Sequence, residues 1–286
     1  MSLKQYFKKA QKEGWAIGQF NFSTLETLRA IFQAGKIFKS PIIIGTSEKE
    51  SKFIGLLQTV NLVKSFSEEL KIPAFLNLDH GKSLEYIKKA VDLGYNAVHF
   101  DGSSLPFKEN IKIANKIVEY AHKKNVLVEG EIGVIKGSSV LHKEKIDIKT
   151  EDLTDAGEAL EFIKKTNIDS LAINIGTFHG MKEKGLNPHI NIQRLKEIKE
   201  KIGKIPLVLH GGSGTPEEDI KKAIKLGIVK ININTELRLA LANTLRKVLQ
   251  ENPEEIVPYN ILPVVIEAVQ KVVEEKIRTF GSANKI

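Results

Sequence analysis

Short apolar runs bounded by polar or glycine residues recur about every thirty residues along the chain, and most are followed by a stretch with helical apolar spacing. The strand-like runs cover residues 16–22, 41–47, 73–80, 96–103, 125–133, 169–180, 206–214 and 229–237. Amphipathic segments lie between them at 24–38, 51–70, 83–93, 108–124, 155–166, 193–201 and 217–226. Eight such units predict an α/β fold, a parallel sheet closed into a (β/α)8 TIM barrel. Residues from about 239 onward read as extra C-terminal helices. An open doubly wound sheet is the competing reading, but no GxGxxG turn follows the first strand. No Pro/Gly/Ser linker or break in composition interrupts residues 1–286, which predicts a single domain.

Composition narrows the chemistry by exclusion. The 286 residues contain no cysteine, so disulfides, thiolate nucleophiles and cysteine metal sites are absent. The net charge of +8 comes from lysines mixed with acids on helical stretches, and aromatic residues make up only 7%. That pattern reads as solvated helix faces and argues against a nucleic-acid partner, while a modest positive field suits an anionic substrate. No apolar run approaches a leader core or a membrane span, so the expectation is a soluble cytoplasmic protein.

The strand ends carry the functional signal, because chemistry in a barrel sits at the carboxyl ends of its strands. These ends bear Asn21, Ser47, Asp79-His80, Asp101, Glu131, His179, His210, and Asn232 with Asn234. A single histidine such as His210, after "PLVL" and before "GGSG", is more often a hydrogen-bonded structural residue. Three on one rim, His80, His179 and His210, point instead to Zn2+, or Co2+ or another divalent metal, with a position left for substrate. His99, mid-strand between apolar residues, and His122, on a helix, read as core or surface residues. Asp101 and Glu131 leave three readings open: ligand orienters, a second metal site, or structural carboxylates. Gly211-Gly212-Ser213-Gly214 and Asn232–Thr235 follow strands seven and eight, where barrels commonly build a phosphate cradle. A metal, a phosphate cradle and Asp79 beside a ligand suggest proton chemistry on a phosphorylated sugar. The long interruption at 134–154 has the dimensions of a lid.

Together "LNLDHG", "AVHFDGSSLPFKENI", "VEGEIG", "AINIGTFHG", "PLVLHGGSGTPEEDI", "KININTELR" and "FGSANK" resemble the class II, metal-dependent fructose-bisphosphate/tagatose-bisphosphate aldolases, from about Asn21 to the C-terminus. The resemblance implies a (β/α)8 barrel and reversible cleavage of a ketose 1,6-bisphosphate to dihydroxyacetone phosphate and glyceraldehyde 3-phosphate, in glycolysis or gluconeogenesis. It makes His80, His179 and His210 the zinc ligands, Asp79 the acid/base at the C4 hydroxyl, and Asp101 with Glu131 the secondary metal site. Gly180, Gly211, Gly212, Ser213, Asn232, Ile233, Asn234 and Thr235 match the segments for the dihydroxyacetone phosphate half. Gly180 and Ser213 also lie where the family binds a monovalent cation, Na+ or K+. Asn21 and Ser47 match further substrate-facing positions, and Asn234 leans towards fructose over tagatose bisphosphate.

Two departures stand out against that pattern. Ser138-Ser139 occupy the place of a loop acid that moves the carbon-bound proton, and Phe178 replaces the serine of the usual "TSHG". Within the loop, Glu144, or His142, is left as the residue with the reach to act as that base. Competing functions are a metal-dependent sugar-phosphate epimerase or isomerase on the same barrel, and a Schiff-base aldolase using Lys230 or Lys182. The C-terminal helices suggest a homodimer or homotetramer.

Overall fold

The computed structural model describes residues 1–144, 146–185 and 187–286, and its centre is a closed barrel of eight parallel strands. In chain order the strands are β1 (Ile17–Asn21), β2 (Ile42–Ser47), β3 (Ala74–Gly81), β4 (Ala97–Phe100), β5 (Leu127–Ile132), β6 (Gly137–His142), β7 (Ser170–Ile173), β8 (His179–Lys182), β9 (Leu207–Leu209) and β10 (Ile228–Ile233). Around the barrel the order is β1-β10-β9-β7-β5-β4-β3-β2, with β2 pairing back onto β1. β6 and β8 form a separate two-stranded parallel sheet. Consecutive residues such as Ile42, Ile43 and Ile44 are all buried, because one face of each strand fills the barrel and the other meets helices.

Helix Leu3–Glu13 opens with a capping box between Ser2 and Gln5. It packs Leu3, Tyr6, Phe7 and Ala10 with Trp15, Ile17, Ile43, Ala97 and Val229, which closes the amino-terminal end of the barrel. Two helices follow the last strand, Thr235–Glu251 and Pro258–Phe280. The second lies along helix Leu25–Ile37 and buries Val265, Val269, Val273 and Ile277 at four-residue spacing. No helix among the described residues is long and apolar enough to cross a membrane.

The elements differ from the sequence reading in three places that affect the site. The sixth barrel strand stops at Ile173, six residues before His179. The Asn174 side chain accepts from the Gly176 backbone N–H at 2.8 Å and donates to Val134 O at 2.7 Å, turning the chain out of the ladder. His179 instead begins β8. Residues 134–154 are not a plain lid loop, since they contain β6 and a short 3-10 turn at Thr150–Asp152. The segment read as one helix at 51–70 is two, Glu48–Ile54 and Leu56–Leu70, divided at Gly55.

Candidate active site

The carboxyl ends of the strands open into a cavity of about 520 Å³. Its lining includes Asn21, Ser47, Asp79, His80, Asp101, His179, Gly180, His210, Gly211, Ser213, Asn232, Asn234 and Thr235. Strand geometry sets the first of these. β2 and β3 pair Ser47 with Asp79 at their shared upper end. The β3–β4 register then shifts between Leu78 and Gly81, and His80 takes a left-handed backbone, φ 52°. A non-glycine residue in that region is strained, and such strain gathers at functional sites. Here it turns the His80 ring towards the neighbouring histidines, 4.6 Å from the His179 ring and 4.7 Å from the His210 ring.

His80 stands between two groups of ligating atoms. Its Nδ1 is 3.1 Å from Asp101 Oδ2 and 3.9 Å from Glu131 Oε2, while its Nε2 is 3.0 Å from His210 Nδ1. Among the described residues, donor atoms of Asp79, His80, His99 and His210 fall within 4.8 Å of one another, as do those of His80, Asp101 and Glu131. Glu131 Oε2 is buried without a hydrogen-bond partner. An unsatisfied buried carboxylate oxygen beside imidazole nitrogens is a donor set that fits a divalent cation.

The charges follow from these partners. His210 Nε2 faces the Glu129 carboxylate at 2.7 Å, which makes it the protonated nitrogen and leaves Nδ1 as the acceptor. Burial, reinforced by His99 and His80, holds His210 well below the ordinary histidine range. His179 is pushed down to about 3 by burial and by His80. Burial opposes charge on His80 too, but Asp79 and the Asp101 hydrogen bond raise it to about 9. Burial alone would raise the Asp79 carboxyl; His80, His210 and Lys230 outweigh it and keep the group ionised well below the usual carboxylate range. Its two oxygens accept from Asn21 Nδ2 at 2.9 Å and Asn232 Nδ2 at 3.0 Å, which fixes the carboxylate at the cavity floor.

The glycine segments form the adjacent wall. Gly211 has φ +65°, and a Cβ there would press on the Phe178 carbonyl, so this close approach of two backbones requires glycine. Helix Thr235–Glu251 begins without a side-chain cap, leaving its first-turn N–H groups for an anion. Arg238, Lys49 and Lys82 line the same cavity.

Several residues sit elsewhere than the sequence reading put them. The Ile233 side chain is fully buried in the core, because strand alternation turns it away from its neighbours Asn232 and Asn234. Gly212 is not in the cavity wall; its N–H donates to Asn232 O at 3.2 Å and it packs against β10. Glu144 is exposed beyond the end of β6 and does not line the cavity. His142 Nε2 lies 2.8 Å from His179 O and 3.0 Å from Ser138 O, so it ties β6 to β8. Ser138 and Ser139 do line the rim, so the place of the expected loop acid is at the cavity but carries no carboxylate.

Other residues escaped notice in the sequence. His99, taken as core or surface, is buried with its ring 4.7 Å from His80 and 4.6 Å from His210, and its Nδ1 accepts the His80 backbone N–H at 3.1 Å. Glu50 accepts from Asn21, Asn234, Arg238 and the Ser47 N–H. The Ser47-x-x-Glu50 spacing of a capping box was the available signal. Lys230 Nζ is buried and 2.6 Å from Glu129 Oε2, paired as an ammonium, so it is not the free amine a Schiff base needs.

Comparison with known proteins agrees with this geometry. The family model described as fructose-bisphosphate aldolase class-II matches residues 1–285. The fructose-bisphosphate aldolase of Geobacillus stearothermophilus is 39% identical over 290 aligned positions, covering 100% of this chain and 98% of the relative. The probable fructose-bisphosphate aldolase of Bacillus subtilis is also 39% identical, with 100% and 99% covered. The crystal structure of the YdjI aldolase from Escherichia coli K12 superposes with a TM-score of 0.84 at 31% identity, covering 99% of this chain and 98% of that one. With a family match across nearly its whole length and relatives at this identity, the chain belongs to the class II fructose-bisphosphate aldolase family.

Proposed function

We propose that this protein catalyses metal-dependent, reversible aldol cleavage of a ketose 1,6-bisphosphate, fructose 1,6-bisphosphate in preference to the tagatose isomer. The observation that carries the reading is an ionised Asp79, held by two asparagines, beside a cluster of His80, His179 and His210 in one cavity with a glycine-rich wall. His80, His179 and His210 are the residues that would hold a catalytic zinc or cobalt ion, with Asp101 and Glu131 facing His80 as a secondary site. When bound, the metal supplies Lewis-acid polarisation of the ketose carbonyl, worth several kcal/mol.

Asp79 does the proton work. In cleavage it takes the C4 hydroxyl proton as the C3–C4 bond breaks and the C4 carbonyl forms; in condensation it returns that proton. The Gly180, Gly211 and Ser213 segments and the Thr235 helix start bind the phosphate of the dihydroxyacetone phosphate half. Lys49, Lys82 and Arg238 suit the far phosphate at the cavity mouth. An epimerase or isomerase on the same barrel gains no support from relatives named as aldolases. Coupled assays on zinc-loaded protein with both sugar bisphosphates test the reading; cleavage of neither would refute it.

A homo-oligomer completes the proposal. Ile256 and Tyr259 are 83% and 79% exposed beside Val264 on the C-terminal helices, an apolar surface suited to a second copy. Light scattering of a monomer at micromolar concentration would overturn that part.

A further inference from the structure

Asn187 lies in the segment joining β8 to helix Ile192–Ile202, and its side chain is buried. Its amide reaches two different walls of the cavity. Nδ2 donates to Gly180 O at 3.1 Å and to Ser213 O at 2.9 Å, while Oδ1 accepts the Lys182 N–H at 3.0 Å. Its own backbone N–H donates to Gly214 O at 3.0 Å. Only one orientation of the amide fits: two carbonyl acceptors need the NH2 group and the Lys182 N–H needs the oxygen. Space for it depends on Gly214, φ +73°, where a Cβ would stand 3.2 Å from Asn187 Nδ2.

Two backbone carbonyls converging from separate segments are the ligand set of a monovalent cation, and the family resemblance led us to expect Na+ or K+ beside Gly180 and Ser213. In this chain the two hydrogens of one amide already satisfy those oxygens. A cation taking both would have to displace Asn187, leaving a buried amide without acceptors. The expected cation therefore does not fit the residues present.

We infer that Asn187 is a built-in substitute for a monovalent cation, clamping the Gly180 and Ser213 segments together so that the phosphate wall keeps its shape without Na+ or K+. The inference rests on the reading of these segments as the phosphate site. It makes Asn187 a positioning residue, acting through the backbone it holds and not through contact with substrate.

The test compares zinc-loaded wild type, Asn187→Ala and Asn187→Asp in tetramethylammonium chloride and in potassium or sodium chloride at equal ionic strength. Calorimetry reads binding of inorganic phosphate and of dihydroxyacetone phosphate, and fructose 1,6-bisphosphate cleavage is followed in parallel. Wild type should bind both within about twofold in all three salts. In tetramethylammonium, Asn187→Ala should lose about tenfold or more in affinity. K+ or Na+ should restore it in that variant, and more fully in Asn187→Asp, whose carboxylate completes a cation site. Wild-type binding that requires K+ or Na+ overturns the inference, as does an Asn187→Ala variant that binds like wild type in tetramethylammonium. If the variants do not fold, the wild-type comparison alone decides. Phosphate binding that is independent of cation, without sugar cleavage, would refute the proposed reaction while leaving this inference standing.

Discussion

Glu129 Oε1 accepts the Nε2–H of His210 at 2.7 Å while its other oxygen holds the Lys230 ammonium at 2.6 Å, all three inside the barrel. The pair fixes the His210 tautomer and turns Nδ1 towards His80, the orienting role that carboxylates play behind metal-binding imidazoles. Lys230→Met would leave Glu129 buried and unpaired, and should cost about 3–5 kcal/mol in urea unfolding. Adding Glu129→Gln should recover part of that loss. A single-variant cost below about 1 kcal/mol would show that the pair behaves like a solvated surface bridge.

Asp79 is anchored by Asn21 and Asn232, so replacing it need not disturb the histidines. Asp79→Asn should keep its zinc and lose about 10²–10⁴-fold in cleavage rate, the usual size of a general acid/base contribution. Metal analysis on purified protein separates this from a purely structural role, in which zinc and activity would fall together.

The barrel was legible because both faces of its strands are apolar and its helices are amphipathic, a pattern local to each unit. The site was legible only where side chains follow strand ends. His99 was missed because β4 has only four residues, which puts a residue flanked by Val98 and Phe100 one step from the rim. His179 was recognised but given the wrong element, since the Asn174 side chain ends the barrel strand and sequence alone does not show that hydrogen bond. Asn187 gave no signal at all; its role depends on Gly180 and Ser213, which come together only in the fold.

Removal of the metal should abolish cleavage without unfolding the barrel, whose core is independent of the histidine cluster. Chelator-treated protein should regain activity with zinc or cobalt. Borohydride added with substrate should trap no covalent adduct, because Lys230 is held in its ion pair. Full turnover in protein shown to be metal-free would end the metal-dependent reading.

Asp155 caps helix Ala156–Thr166, accepting the Gly157 and Glu158 N–H groups at 2.8 and 2.9 Å. The Glu158 bond, against the opposing effect of partial burial, holds its pKa below the ordinary value. A folded-state pKa that is depressed gives stability that is complete above the unfolded value and lost as pH falls through the folded one. Asp155→Ala should therefore cost about 1 kcal/mol at neutral pH. The difference between variant and wild type should shrink below about pH 4. A gap that stays constant down to pH 2 would assign the effect to something other than the ionised cap.

Glu144→Gln provides the sharpest check on the missing carbon-proton base. Cleavage leaves a carbanion equivalent at C3 that must gain a proton to become dihydroxyacetone phosphate, so some group has to deliver it. The loop was expected to supply Glu144 or His142. Instead Glu144 is exposed beyond β6, and His142 is engaged with the carbonyls of Ser138 and His179. Among the described residues, the carboxylates that line the cavity are Asp79 and Asp101, and both have other partners. Solvent tritium exchange into dihydroxyacetone phosphate should therefore be unchanged in Glu144→Gln, within about twofold. His142→Gln should loosen the tie between β6 and His179 and weaken metal binding along with exchange. A large loss of exchange in Glu144→Gln with phosphate and metal binding intact would mean that β6 closes far enough to carry Glu144 over the cavity.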